Sequence, residues 1–131
     1  MTTFTLRLQD STRTETIEHV EAFVGEDRSG SFGILANHER FMTSLTFGLA
    51  RFRAAGAGWR YLALPGALLY FKDNELTVST RHYLVDDDYS KISAAMTEQL
   101  LAEENQLRSM KESLRRLEEE ALKRLWRLER M

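Results

Sequence analysis

Gly30-Ser31-Phe32-Gly33-Ile34-Leu35-Ala36-Asn37-His38 is the stretch whose reading decides the fold. Two glycines stand three apart, so the backbone is free to take positive φ on either side of Phe32. Phe32, Ile34 and Leu35 are apolar, and Asn37-His38 closes the segment with polar groups. Such a pattern predicts a tight turn, a short buried strand and a second turn. Working outward, the same grammar recurs on both sides. Phe4, Leu6 and Leu8 alternate with polar residues, the period of a half-buried strand. Thr14–Ile17 and Val20–Val24 read as two more short strands, and Gly25–Gly30 as a polar loop. Phe41–Leu45, Leu49–Arg53, Trp59–Leu64, Leu68–Phe71 and Leu76–Thr80 read as strands, with turn residues between them. Asp73-Asn74 has the chemistry of a two-residue turn with left-handed φ. About ten short strands with no helical pattern among them predict an antiparallel β sandwich rather than an alternating α/β sheet.

Composition changes sharply near residue 86. All seven glycines and the one proline, Pro65, precede it, and residues 87–131 have neither. The expected domains are therefore 1–85, a β sandwich, and 86–131, a helical arm. Asp86-Asp87-Asp88 suits a helix N-terminus, because carboxylates accept free N–H groups there and complement the helix dipole. Ile92, Met96, Leu100, Leu107, Met110, Leu114, Leu117, Ala121, Leu125 and Leu128 recur at three, four or seven residues and form one apolar stripe. Two arrangements fit: a hairpin turning near Asn105–Ser109, or one long helix. Neither glycine nor proline marks a turn, so sequence alone favours the long helix.

The 131 residues carry a net charge of −2 and no cysteine, which excludes disulfides, thiolate metal sites and a global basic field for nucleic acid. The first residues, Met1–Leu6, lack the basic and apolar regions of a secretory signal. No apolar run reaches the ~20 residues of a membrane span. His19, His38 and His82 stand apart from one another with no nucleophile signature beside them, so no catalytic or metal site is expected. Trp59 and Trp126 read as packing residues, and no phosphate loop follows Gly30 and Gly33. Residues 107–131 hold eight Lys or Arg (Arg108, Lys111, Arg115, Arg116, Lys123, Arg124, Arg127, Arg130) against five Glu. That balance describes either a solvated face with pairs such as Glu119–Lys123 and Glu120–Arg124, or a basic arm for an acidic partner.

The opening stretch resembles the G-x-F-G-I-L-P-N-H signature of the epsilon subunit of F-type ATP synthases. Tyr61–Leu69, Asp73–Val78 and Phe41–Gly48 resemble further segments of that family, in the same order along residues 3–85. Ala36 replaces the usual proline, and Pro65-Gly66-Ala67 replaces a Ser-Gly-Gly. The resemblance implies a non-catalytic rotor subunit with no cofactor, in a peripheral complex on the cytoplasmic face of the inner membrane. It implies contacts with the ion-translocating ring through Glu26, Asp27, Ser31, Phe32, Asn37 and His38, and with the gamma subunit through Met42, Thr43 and Leu45. It implies an arm folded as a hairpin, which tips the expectation that way. Through Arg108, Lys111, Arg115, Arg116, Lys123, Arg124 and Arg127, that arm would touch the catalytic head and restrain ATP hydrolysis. The family's ATP-linked Asp-x-x-Arg pattern is missing from Tyr89–Met96, so weak or no ATP binding is expected, as in a divergent branch. The alternatives from the residues themselves are an adapter that self-associates through a coiled coil and, with no catalytic cluster to support it, a small barrel enzyme.

Overall fold

The computed structural model describes residues 2–129. Nine strands come first: β1 Phe4–Gln9, β2 Thr14–Asp27, β3 Gly30–Leu35, β4 Phe41–Leu45, β5 Gly48–Ala54, β6 Trp59–Leu64, β7 Ala67–Lys72, β8 Glu75–Thr80 and β9 Leu84–Asp86. They are hydrogen-bonded in the order β4-β7-β8-β1-β2-β5-β6-β9, with β3 on the other side of β2. All pairings are antiparallel except β1 with β8, which is parallel.

β2 holds the two layers together. Its first half, from Thr14 to Val20, pairs with β1, and its second half, from Val20 to Asp27, lies between β3 and β5. Between them His19 takes φ 58°, and the register slips on both flanking ladders. A bulge of this kind bends a strand so that it can leave one sheet and enter another. Where sequence reading separates Thr14–Ile17 from Val20–Val24, the chain therefore runs as one continuous strand. The predicted polar loop is also shorter. β2 continues through Asp27, and only Arg28 and Ser29 turn the chain into β3.

Side chains of both layers meet in one core. Phe4, Leu6, Leu8, Phe23, Ile34, Phe52, Leu62, Leu69, Phe71 and Leu76 are all buried. Phe4 and Phe71 pack edge to face with ring centroids 5.6 Å apart, an arrangement that aromatic quadrupoles favour. Tyr83 also enters the core. Its hydroxyl donates to Glu15 Oε1 at 3.0 Å, and the Arg13 guanidinium lies 4.3 Å from its ring centroid. Burial above all, and then the Glu15 carboxylate, push the Tyr83 phenol up to about 12.

The turns confirm the chemistry read for them at two places, and two other glycines correct it. Asp73 and Asn74 take φ 52° and 57° in the β7–β8 turn, and Gly30 takes φ 121°. Gly33 keeps to ordinary strand geometry opposite Val24, where an added Cβ would meet only Phe23 O at 3.9 Å. Gly25, read as part of a loop, is a packing glycine. A Cβ there would stand 3.0 Å from Leu45, 3.1 Å from Phe23 and 3.1 Å from Phe32.

One helical rod follows. α1 spans Tyr89–Ala95, a π-helical turn spans Met96–Leu100, and α2 spans Leu101–Glu129. Asp88 caps it, with Oδ1 accepting from the N–H groups of Ser90 and Lys91 at 2.9 and 3.3 Å. The expected hairpin does not form: Asn105–Ser109 is helical, in keeping with the absence of a glycine or proline there. Ile92 and Leu100 are buried on the outer face of β6 and β9, against Ala63, with Leu49, Tyr61, Leu84 and Met96 around them. β6 is thus covered on both faces, which explains its run of apolar residues. β9, for which three residues leave no readable period, pairs its Val85 with Leu62.

Candidate functional site

The residues expected to meet the ring lie in four settings, of which those of Phe32 and His38 share the Phe41 ring. β3 has six residues and so spans roughly 17–20 Å, and it separates two of these settings. At its Gly30 end, Asp27 Oδ1 accepts from the N–H and hydroxyl of Ser29 at 2.8 and 2.5 Å, and its Oδ2 accepts from the Thr43 hydroxyl at 2.8 Å. These bonds, the Ser29 hydroxyl first and Thr43 second, hold the Asp27 carboxyl below its usual 3.8. At the other end, Asn37 takes φ 67°. Its N–H donates to Asn74 Oδ1 at 2.6 Å, and Asn74 Nδ2 donates back to Asn37 Oδ1 at 3.0 Å. His38 Nδ1–H donates to Glu39 O at 2.7 Å, and its ring edges onto Phe41 and Phe71 with centroids 5.6 and 5.8 Å away. The Asn37–Asn74 clasp thus ties the turn after β3 to the β7–β8 turn.

Glu26 and Ser31 are cross-strand neighbours on the outer face. They line an open groove of about 260 Å³ with Val24, Arg51, Tyr61 and Tyr89. Phe32 points the other way, half-buried, with its ring 5.3 Å from that of Phe41. Its contacts are with the core, as the alternation along β3 requires.

Of the three residues read as gamma contacts, Met42 is exposed on β4, Thr43 bonds to Asp27, and Leu45 is buried in the core. Thr43 and Leu45 join Asp27 and Ser29 in an open groove of about 740 Å³, with Phe47 and Pro65 on its wall. The structure therefore brings one ring-side residue and two gamma-side residues together at one end of the sandwich. Sequence reading does not single out Phe47 or Leu68, which are exposed large apolar residues. Leu68 sits one strand over, opposite Ser44, while Tyr70 faces Met42. For Leu68 the signal was available as an outward position in the alternation of β7, whereas Phe47 lies in the turn between β4 and β5.

The arm residues Arg108, Lys111, Arg115, Arg116, Lys123, Arg124 and Arg127 are all exposed on α2. Arg130 lies outside the described residues. Among the described residues neither Glu119–Lys123 nor Glu120–Arg124 closes to an ion pair. The bond that ties α2 to the sandwich is Arg81–Glu104 at 2.6 Å, close to where the rod leaves the sheet. Beyond it, Met110, Leu114, Leu117, Leu122, Leu125, Trp126 and Leu128 are exposed. No helix among the described residues is long and apolar enough to cross a membrane, and no three His, Asp or Glu side chains among them gather as metal ligands.

Residues 3–84 match the ATP synthase delta/epsilon chain β-sandwich domain. The chain belongs to the ATP synthase delta/epsilon family. Its relatives include an ATP synthase epsilon chain 2 of Cereibacter sphaeroides, 29% identical over 84% of this chain and 76% of that one. Another, the ATP synthase epsilon chain 2 of Paraburkholderia xenovorans, is 34% identical over 69% and 68% of the two chains. That naming suits a divergent paralogue. The fold resembles a chain in the mitochondrial ATP synthase of Euglena gracilis, with a TM-score of 0.61 and 20% identity over 75% of this chain and 64% of that one. The family match ends where β9 begins, so the domain it describes is the sandwich; α1 and α2 lie beyond it.

Proposed function

We propose that this chain is the epsilon subunit of a rotary ATP synthase, a non-catalytic part of the central stalk. It would join gamma to the ion-translocating ring and restrain ATP hydrolysis through its arm. The observation that carries this reading is the sandwich of residues 3–84, whose family is that of ATP synthase delta/epsilon chains, continued by a rod whose second part exposes its basic residues and most of its apolar ones. Structures with the same fold come from ATP synthase assemblies, one of them described as central stalk and c-ring.

In this reading the Asp27–Thr43 groove end and the loop through Phe47 face the ring, and Met42, with Leu68 and Tyr70, presents the surface for gamma. The Asn37–Asn74 clasp keeps the far end of the sandwich closed. Seven cations on α2 suit an acidic segment of the catalytic head. A contact that forms in only one rotary state acts as a brake, because a few kcal/mol of differential contact shifts such an equilibrium by orders of magnitude. Charge contacts of this kind weaken with salt. The complex sits at the cytoplasmic face of the inner membrane, bound through its partners. ATP itself binds weakly or not at all, since Tyr89–Met96 lacks the acid–arginine pair.

Co-expression with the cognate gamma subunit tests the reading. The expected result is a one-to-one complex that survives gel filtration, with ATPase of the assembled enzyme rising when residues after Asp88 are removed. A chain that stays free while gamma takes another epsilon-like protein would sink it.

A further inference from the structure

We infer that the free chain pairs with a second copy of itself through antiparallel arms, with α2 of each lying along α2 of the other. This inference rests on the arm alone and stands apart from the function proposed above. α2 has 29 residues, ~44 Å at ~1.5 Å per residue. Beyond Leu107, which is half-buried, its described residues are exposed. Leu114 and Leu117 are 58% and 66% exposed, although packing of the amphipathic face supplies most of the stability of helices in proteins.

The seam has a strict heptad. Leu107, Leu114, Ala121 and Leu128 are seven apart, and so are Glu103, Met110, Leu117 and Arg124, four residues behind them. Such a 3.5-residue repeat is the pattern of a coiled coil. Two members of the seam are charged, Glu103 at the base and Arg124 near the tip. A parallel pair would stack Glu103 on Glu103 and Arg124 on Arg124, burying like charges against each other. An antiparallel pair that sets Leu114 beside Leu117 of the second copy leaves Glu103 within about one helical turn of the second copy's Arg124, twice over. Lys111 and Glu118 flank the same seam, on the edge that faces its own equivalent in an antiparallel pair, so they too meet as opposite charges. The charge gradient agrees: Glu98, Glu103 and Glu104 lie at the base, and Lys123, Arg124 and Arg127 toward the tip. A buried charge is tolerated when it is paired and is strongly destabilising when it is not, so polarity here is set by the two interruptions rather than by the leucines.

Sedimentation equilibrium on the full chain, from sub-micromolar to high micromolar concentration, is the test. The expected result is a mass that rises to twice the 15.2 kDa of one chain. Leu114→Glu with Leu117→Glu should abolish the dimer while leaving the sandwich intact, since both positions are exposed. Glu103→Arg alone and Arg124→Glu alone should each weaken pairing ten-fold or more, and the double exchange should restore it. Chains carrying Met110→Cys and Ala121→Cys should form the disulfide when mixed and not separately. A monomer at every concentration, as expected if the arm folds back on its own sandwich, would overturn the inference. Disulfides within either single-cysteine sample, together with indifference to the charge exchange, would overturn the antiparallel arrangement.

Discussion

The two halves of the helical rod carry the same apolar spacing and meet opposite fates. In residues 89–100 the stripe is pressed onto β6 and β9, and Ile92 and Leu100 are 1% and 0% exposed. In residues 101–129 the stripe is largely exposed, with no side chain of α2 buried. Periodicity states that a face must be covered, yet it says nothing of what covers it. For the first half the cover is a second apolar face, formed by the outward residues Leu49, Tyr61, Ala63 and Leu84. For the second half the described residues offer no such face. The π-helical turn and the Arg81–Glu104 bond fall where one regime gives way to the other.

That contrast predicts a graded set of effects. The largest belongs to the core the rod does not share. Phe52, fully buried, should cost about 3–5 kcal/mol when cut to alanine, read as a fall in the chemical-denaturation midpoint. Leu100→Ala should cost about 2–4 kcal/mol, within the range for buried leucines. Hydrogen exchange should show that cost concentrated in residues 89–104. Leu117→Ala, the same chemistry on the bare half, should change the stability of the monomer by less than about 0.5 kcal/mol. Equal losses at Leu100 and Leu117 would mean that the arm is packed in solution and would erase the distinction. Gly25→Ala sharpens the comparison within the sandwich. An added methyl there must displace Leu45, Phe23 or Phe32, with an expected cost of about 1–3 kcal/mol, whereas Gly33→Ala should be nearly neutral.

The smallest effect is read by pH. Tyr83 is the phenol that burial and Glu15 push up to about 12 from the ordinary 10.0. Its protonated form is the one the fold favours, so its contribution is whole below pH 10 and is lost as pH climbs toward 12. Ultraviolet titration should therefore show one of the four tyrosines ionising late and together with unfolding. Tyr83→Phe should cost about 1 kcal/mol at neutral pH and remove that late step. The carboxylates behave in the opposite sense. Asp27 and Asp86 are held below 3.8 by the hydrogen bonds they accept, so the stability they add is present at neutral pH and fades as pH falls through their depressed values.

The β character of residues 3–80 is legible because alternation and turn chemistry agree: Asp73-Asn74 takes the predicted left-handed φ, and the strands fall where the apolar residues alternate. The start of the helix is equally legible, since Asp86-Asp87-Asp88 suits a helix N-terminus and Asp88 caps it. What escapes is what depends on distant partners. His19 gives no local sign that it bends a strand from one sheet into the next. Leu84–Asp86 is too short to show a period and becomes a strand only because β6 offers it an edge. The expected contact residues were chosen along the chain, and folding sends Asp27, Glu26, Phe32 and Asn37 to four settings because neighbours in a strand point to opposite faces. The hairpin follows from the resemblance alone, while residues 87–131 hold neither glycine nor proline to turn it.

β2 crosses from one layer to the other without a break. A pull on either layer is therefore carried into its partner by covalent bonds, rather than by side-chain packing alone. For a domain of two layers, that is a difference in stiffness: the layers cannot shear past one another unless the bend at His19 straightens.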